Sequence, residues 1–150
     1  MCRKTSSILI KEAKKEDAQR LFVLNEEFNE PAVNTVAYIE HSLENNKHEI
    51  VCVAEVNGVV AGFCCVYIIV SMCYANHSAE ITELYVEEQH RRKGLAAGMI
   101  RLAEKLCNER YGVTEFKLLT GNDNYSAHEF YKSAGDLLDD DVVFVKSNIY

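Results

Sequence analysis

Proline, paired cysteines and nucleotide-binding glycine loops are scarce or missing from this chain. A single proline, Pro31, in 150 residues leaves no proline-rich linker. No internal repeat or low-complexity tract breaks the sequence either, so one domain over residues 1–150 is expected. The six cysteines (Cys2, Cys52, Cys64, Cys65, Cys73, Cys107) form no CxxC pair, and the five histidines fall in no HExxH or Cys/His ligand spacing. A metal site is therefore not expected. Neither GxGxxG nor GxxxxGK[ST] occurs, which argues against a doubly wound nucleotide fold. The longest apolar stretch, 59–73, contains Gly62 and Ser71 and falls short of the ~18 residues of a membrane span. It reads as a long buried strand. Basic charge is also short: 23 acidic against 16 basic side chains leave a formal charge of −7. That sign disfavours nucleic acid and anionic membrane surfaces and leaves cationic small molecules or basic peptides as partners. With no signal-peptide pattern, a reducing cytoplasm is expected, and the thiols read as small buried hydrophobes.

What is present alternates between strand and helix. Residues 7–13 read as a strand, followed by a helix with Ala18, Leu21, Leu24 and Phe28 at helical spacing. After Pro31, a second helix carries Val33, Val36, Ile39 and Leu43 on one side, with Asn34 or Thr35 as its cap. Strands over 50–56 and 59–73 flank Asn57-Gly58, a type I′ hairpin signal. A two-residue loop pairs Val56 with Val59, which places Cys52 opposite Phe63 and neither Cys64 nor Cys65 directly across from it. A strand over 79–86 leads through a polar run to a helix over 94–110 with Leu95, Met99, Leu102 and Leu106 on one stripe. A strand over 113–120, a short helix over 125–134 with Ala127, Phe130 and Ala134 inward, and a strand over 141–147 complete the order β-α-α-β-β-β-α-β-α-β. This is a mixed α/β sheet with a hairpin in its middle.

Within the acidic chain, residues 90–93 read His-Arg-Arg-Lys, immediately before Gly94 and a helix start. A glycine turn feeding a helix N-terminus presents free N–H groups and a positive dipole end, a site suited to phosphate. Arg91-Arg92-Lys93-Gly94-Leu95-Ala96 fits [RQ]-x-x-G-x-[GA], and the stretch from Asn124 through Ala127, Phe130 and Tyr131 to Gly135 fits N-x-x-A-x-x-[LF]-Y followed by glycine. On these residues the chain resembles the GNAT superfamily of acetyl-CoA-dependent N-acetyltransferases. The resemblance implies a central mixed sheet of about six to seven strands flanked by about four helices. It also implies that the backbone N–H groups of Arg91, Arg92, Lys93, Gly94, Leu95 and Ala96 hold the coenzyme A diphosphate, with Arg92 and Lys93 assisting. Pantetheine would lie against the main chain of Leu84 and Val86, and Asn124 would bond the cofactor. One departure is visible: Gly135-Asp136 stands where the family often has Gly-Phe.

Acetylating an amine needs its neutral form, which for an alkylammonium of pKa about 10.4 is roughly one molecule per thousand near pH 7.4. A carboxylate in reach can take that proton. Glu83 and Glu80 are the candidates; strict alternation groups Ile81, Glu83 and Tyr85 on one face and Glu80, Thr82 and Leu84 on the other, so only one glutamate enters a given cleft. Glu83 is favoured, at a spacing before Arg91 where family members that modify small amines carry an acid; Glu80 matches the place used by some protein-modifying members. Tyr131 resembles the family's general acid and is expected to point off the buried stripe of its helix. A main-chain N–H near Leu84 is a candidate oxyanion donor. His128 reads as a surface residue, no cysteine has a nucleophile context, and Glu26, Glu27, Glu30 and Tyr38 read as a solvated face beside an acceptor pocket. The implied activity is acetyl transfer to a small aminoglycoside- or polyamine-like amine in a ternary complex, with no metal. Alternatives are a peptide or protein amine acetyltransferase and a catalytically weak acyl-CoA-binding regulatory module. Homodimers are common in the family.

Overall fold

The computed structural model describes residues 4–29 and 34–147. Cys2, Pro31 and Val33 lie outside them. The chain divides into two compact units, Met1–Leu119 and Thr120–Tyr150.

Among the described residues, the first unit forms a five-stranded sheet in the order β1-β2-β3-β4-β5. Its strands are β1 (Ile8–Glu12), β2 (Glu49–Val56), β3 (Val59–Ser71), β4 (Tyr74–Val86) and β5 (Phe116–Leu118); the first four pair antiparallel and β5 joins β4 in parallel. Helices α1 (Ala18–Phe28) and α2 (Val36–Asn45) precede β2, and α3 (Leu95–Tyr111) joins β4 to β5. The Asn57-Gly58 turn forms as its sequence requires, with φ of 52° and 82°. Thr35 caps α2, its Oγ1 accepting from the Tyr38 N–H at 3.1 Å. The sheet is shorter than the six to seven strands expected. Residues 141–147 form no strand, and Val142, Val143, Phe144 and Val145 are exposed. An apolar run can propose a strand, but only a ladder partner for its N–H and C=O groups makes one.

Two β-bulges decide which residues share a face. Between Ala54 and Glu55 the register shifts by one, so Cys52 stands opposite Cys64, not opposite Phe63. The extra residue, Ala61, breaks the simple count from the hairpin turn. Cys52 and Cys64 are both free and buried. The second shift lies between Cys65 and Val66, which pair with Glu83 and Ile81 respectively, so Thr82 is the unpaired residue of β4. Since directly paired residues point the same way, three cross-sheet rows follow on each side. Ile50-Val66-Ile81, Cys52-Cys64-Leu84 and Ala54-Gly62-Val86 form the closed face. Glu49-Tyr67-Glu80, Val51-Cys65-Glu83 and Val53-Phe63-Tyr85 form the open face. Glu80 and Glu83 therefore share a face, which corrects the alternation argument.

α3 covers the closed face. Its buried residues are Leu95, Met99, Ile100, Ala103 and Cys107, whereas Leu102 and Leu106 are only half-buried. The expected stripe was thus right at its start and rotated by one position further on, within the breadth of an ordinary core-facing stripe. On the open face Leu21 and Leu24 of α1 join Val53, Val60 and Phe63, with Ile39 and Leu43 of α2 partly buried against them. Phe28 is exposed by area, yet its ring lies 5.4 Å from that of Tyr85.

The second unit contains α4 (Tyr125–Ser133), capped by Asn124, whose Oδ1 accepts from the Ala127 N–H at 3.3 Å. Ala127, His128, Phe130 and Tyr131 are half-buried, while Ala134 is exposed. Tyr131 is thus part of the shielded side, and its ring meets that of Phe130 edge-on at 5.2 Å.

Candidate active site

The loop between β4 and α3 is built for close approach to its backbone. After a short turn at Glu88–His90, Arg92 and Gly94 both take positive φ, 61° and 77°. The Gly98 N–H is the first of α3 to reach an intrahelical acceptor, the Gly94 carbonyl at 3.0 Å. The N–H groups of Leu95, Ala96 and Ala97 consequently have no acceptor within the helix and lie at the positive end of its dipole. A Cβ added to Gly94 would meet no atom within 4 Å, so the space above the turn is open and the positive φ alone calls for glycine. The three basic side chains divide their work. Arg91 donates from Nε to the Val86 carbonyl at 2.8 Å, and its guanidinium lies 5.8 Å from the centre of the Tyr85 ring. It ties the loop to β4, whereas Arg92 and Lys93 extend from the exposed surface.

The strand entering this loop has an unfinished edge. β5 pairs with β4 only from Ala79 to Ile81. Beyond the bulge at Thr82, the outer edge of β4 through Leu84 and Val86 has no ladder partner among the described residues. Such an edge accepts an extended ligand as it would another strand.

On the open face, α1, α2 and the sheet enclose a cavity of about 240 Å³. Glu49 and Glu83 line it beside Cys65, Val51 and Phe63; Asn25, Asn29, Asn34, Asn46, Ser42 and Tyr38 supply most of the other polar groups. Among the described residues, no lysine, arginine or histidine lines it. Burial pushes the Glu83 carboxyl above its ordinary value, and a hydrogen bond from the Asn29 side chain holds it partly down. Burial raises Glu49 as well, and the charge of Glu83 adds to that rise. The Cys65 thiol is driven well up by burial, then by Glu49. It is not an activated nucleophile.

The Acetyltransferase (GNAT) family matches residues 18–135 of this chain, from the start of α1 to the glycine after α4. The chain belongs to that family. This GNAT protein is 30% identical over 90 residues to N-acetyltransferase family 8 member 2 of Rattus norvegicus; the match covers 60% of this chain and 39% of that relative's length. Its fold resembles an aminoglycoside acetyltransferase, meta-AAC0020 from an uncultured soil metagenomic sample, solved with sisomicin: the TM-score is 0.82 at 18% identity, covering 95% of this chain and 97% of the other. It also resembles the aminoglycoside N-acetyltransferase AAC(6')-Iy, solved with CoA, at a TM-score of 0.82 and 17% identity over 99% and 100% of the two chains.

Within the first unit, Glu83, Leu84, Val86 and Arg91, Arg92, Lys93, Gly94, Leu95 and Ala96 form one continuous run from cavity to loop. Glu80 shares the face of Glu83 but does not line the cavity. Glu27 is engaged with Tyr85, whose hydroxyl donates to its Oε2 at 3.1 Å; Tyr38 lines the cavity, and Glu30 lies outside the described residues. In the second unit the Asn124 side-chain oxygen is used as the cap of α4. His128 is held by the Gly121 carbonyl, 2.9 Å from Nε2, as befits a structural residue. Glu49 and the asparagines escaped the sequence reading. An acid alternating with Val51 and Val53 on a buried face, and Asn25 and Asn29 four apart on one helix, were the available signals.

Proposed function

We propose that this GNAT protein transfers an acetyl group from acetyl-CoA to a primary amine of a small cationic molecule, by direct attack in a ternary complex. One observation carries the reading: the strand that places Glu83 in a cavity without basic side chains runs directly into a loop with open helix N–H groups. The family membership and the fold shared with aminoglycoside acetyltransferases support it.

The open turn at Gly94 and the unclaimed N–H groups of α3 fit a diphosphate, with Arg92 and Lys93 adding charge. Leu84 and Val86 offer main-chain groups to the pantetheine arm, and Asn124 an amide. Acetyl-CoA, when bound, supplies the thioester carbonyl. Glu83 accepts the proton of the incoming ammonium, directly or through water, and so relieves the roughly 4 kcal/mol needed to reach the free amine at neutral pH. Its raised proton affinity narrows the gap to the amine. As the C–N bond forms and the C–S bond breaks, a backbone N–H near Leu84 supports the carbonyl oxygen, Tyr131 gives its phenolic proton to the departing sulfur, and the second proton of the attacking nitrogen, shed as the amide forms, restores the phenol through solvent. The acidic surface draws cations toward the cavity. The five cysteines among the described residues are unpaired, which supports the expectation of a reducing cytoplasm.

Thiol release from acetyl-CoA, measured across polyamines, aminoglycosides, amino acids and peptides, tests the function. Turnover on small cationic amines is expected. Tight cofactor binding without turnover on any class would instead favour an acyl-CoA-binding module. Tyr131→Phe is expected to lower turnover by about tenfold or more while cofactor affinity stays nearly unchanged; unaltered turnover would remove Tyr131 from the acid role.

A further inference from the structure

The cavity holds more negative charge than one general base requires. Glu49 and Glu83 both line it, and neither forms an ion pair with a lysine or arginine of the described residues. Asn34 adds a side-chain oxygen that is buried without a hydrogen-bond partner among the described residues. The two acids stand at different depths and flanks. Glu49 pairs with Tyr67 and Glu83 with Cys65, two residues apart along β3 and on opposite sides of it. Sheet spacings then separate their Cα atoms by roughly 12 Å. A cavity of about 240 Å³ has room for a short chain.

We propose that Glu49 is a specificity-determining residue, and that the acceptor is a short aliphatic amine carrying a second cationic centre, or one such end of a larger polyamine. Glu83 receives the reacting amine and Glu49 the distal ammonium; the asparagine side-chain oxygens accept from the remaining N–H groups. This rests on the acetyltransferase reading above.

The test compares 1,4-diaminobutane with n-pentylamine, which matches it in length but replaces one ammonium by a methyl group, in the thiol-release assay. The wild-type kcat/KM is expected to favour the diamine by about tenfold or more, the scale of one charge-assisted contact. Glu49→Gln is expected to raise KM for the diamine and abolish most of that preference, and Glu49→Asp, which keeps the charge, to retain it. Glu83→Gln should instead lower kcat for both amines. Equal use of the two amines by the wild type, or an undiminished preference in a folded Glu49→Gln variant, would overturn the role of Glu49 while leaving the acetyltransferase reading intact. Failure of every amine to release thiol would overturn both.

Discussion

The two faces of the sheet are made by the same three strands and do opposite things. On the closed face, rows such as Cys52-Cys64-Leu84 and Ala54-Gly62-Val86 meet Met99, Ala103 and Cys107 of α3, and Cys52, Cys64, Met99, Ala103 and Cys107 have no solvent exposure. On the open face, the row Val51-Cys65-Glu83 stops short of α1 and α2 and leaves a cavity edged by two carboxylates. The contrast shows how a small domain separates stability from chemistry. One side of each strand is filled with atoms in contact. The other carries half-buried acids whose protonated forms burial favours, a cost to stability that the proposed cationic acceptor would offset on binding.

The largest expected effect lies on the closed face. Met99→Ala should lower stability by about 2 to 5 kcal/mol, measured by denaturant unfolding, while kcat of the folded fraction holds. A comparable loss of kcat at unchanged unfolding would break the separation of the faces. Glu83→Gln tests the open face, with kcat expected to fall by about a hundredfold and stability nearly constant. Gly94→Val strikes the loop beyond both faces. It should weaken acetyl-CoA binding by about tenfold or more in calorimetric titration, and unaltered affinity would remove the loop from the cofactor site.

The smallest effects distinguish the faces by sign. At the rim of the closed face, Glu12 accepts two bonds from Arg110, at 2.7 and 2.6 Å, and this pairing holds its carboxyl below the ordinary value. That contribution exists above the unfolded pKa of about 4.3 and is lost as pH falls through the lower folded value. Because the pair is exposed, Glu12→Gln should cost less than about 1 kcal/mol at pH 7, and the cost should shrink as pH falls through the lowered folded value. Glu49, held above its ordinary value by burial and then by Glu83, behaves oppositely: its contribution is present in acid and lost as pH rises. Glu49→Gln should therefore melt higher than the wild type at pH 7. Paired melting curves at pH 7 and in acid check both signs.

Local chemistry was legible wherever neighbours in sequence suffice. The Asn57-Gly58 turn, the cap at Thr35, the glycine loop before α3 and the position of Glu83 before Arg91 depend on a few adjacent residues. The final strand was misread because 141–147 offers apolar residues but no ladder partner. Cys52 was misaligned because a single inserted residue, Ala61, shifts every pair beyond it.

By itself the sequence determined the family, the run of strands and helices as far as α4, and the glycine turn that opens α3, since all of these follow from spacing along the chain. Only the tertiary structure decided which acids face the cavity. The bulge at Thr82 turned Glu80 to the side of Glu83, and pairing across β3 brought Glu49 to the same cavity. Bulges and register are settled by competition between whole strands for partners and burial, and no stretch of one strand records the outcome.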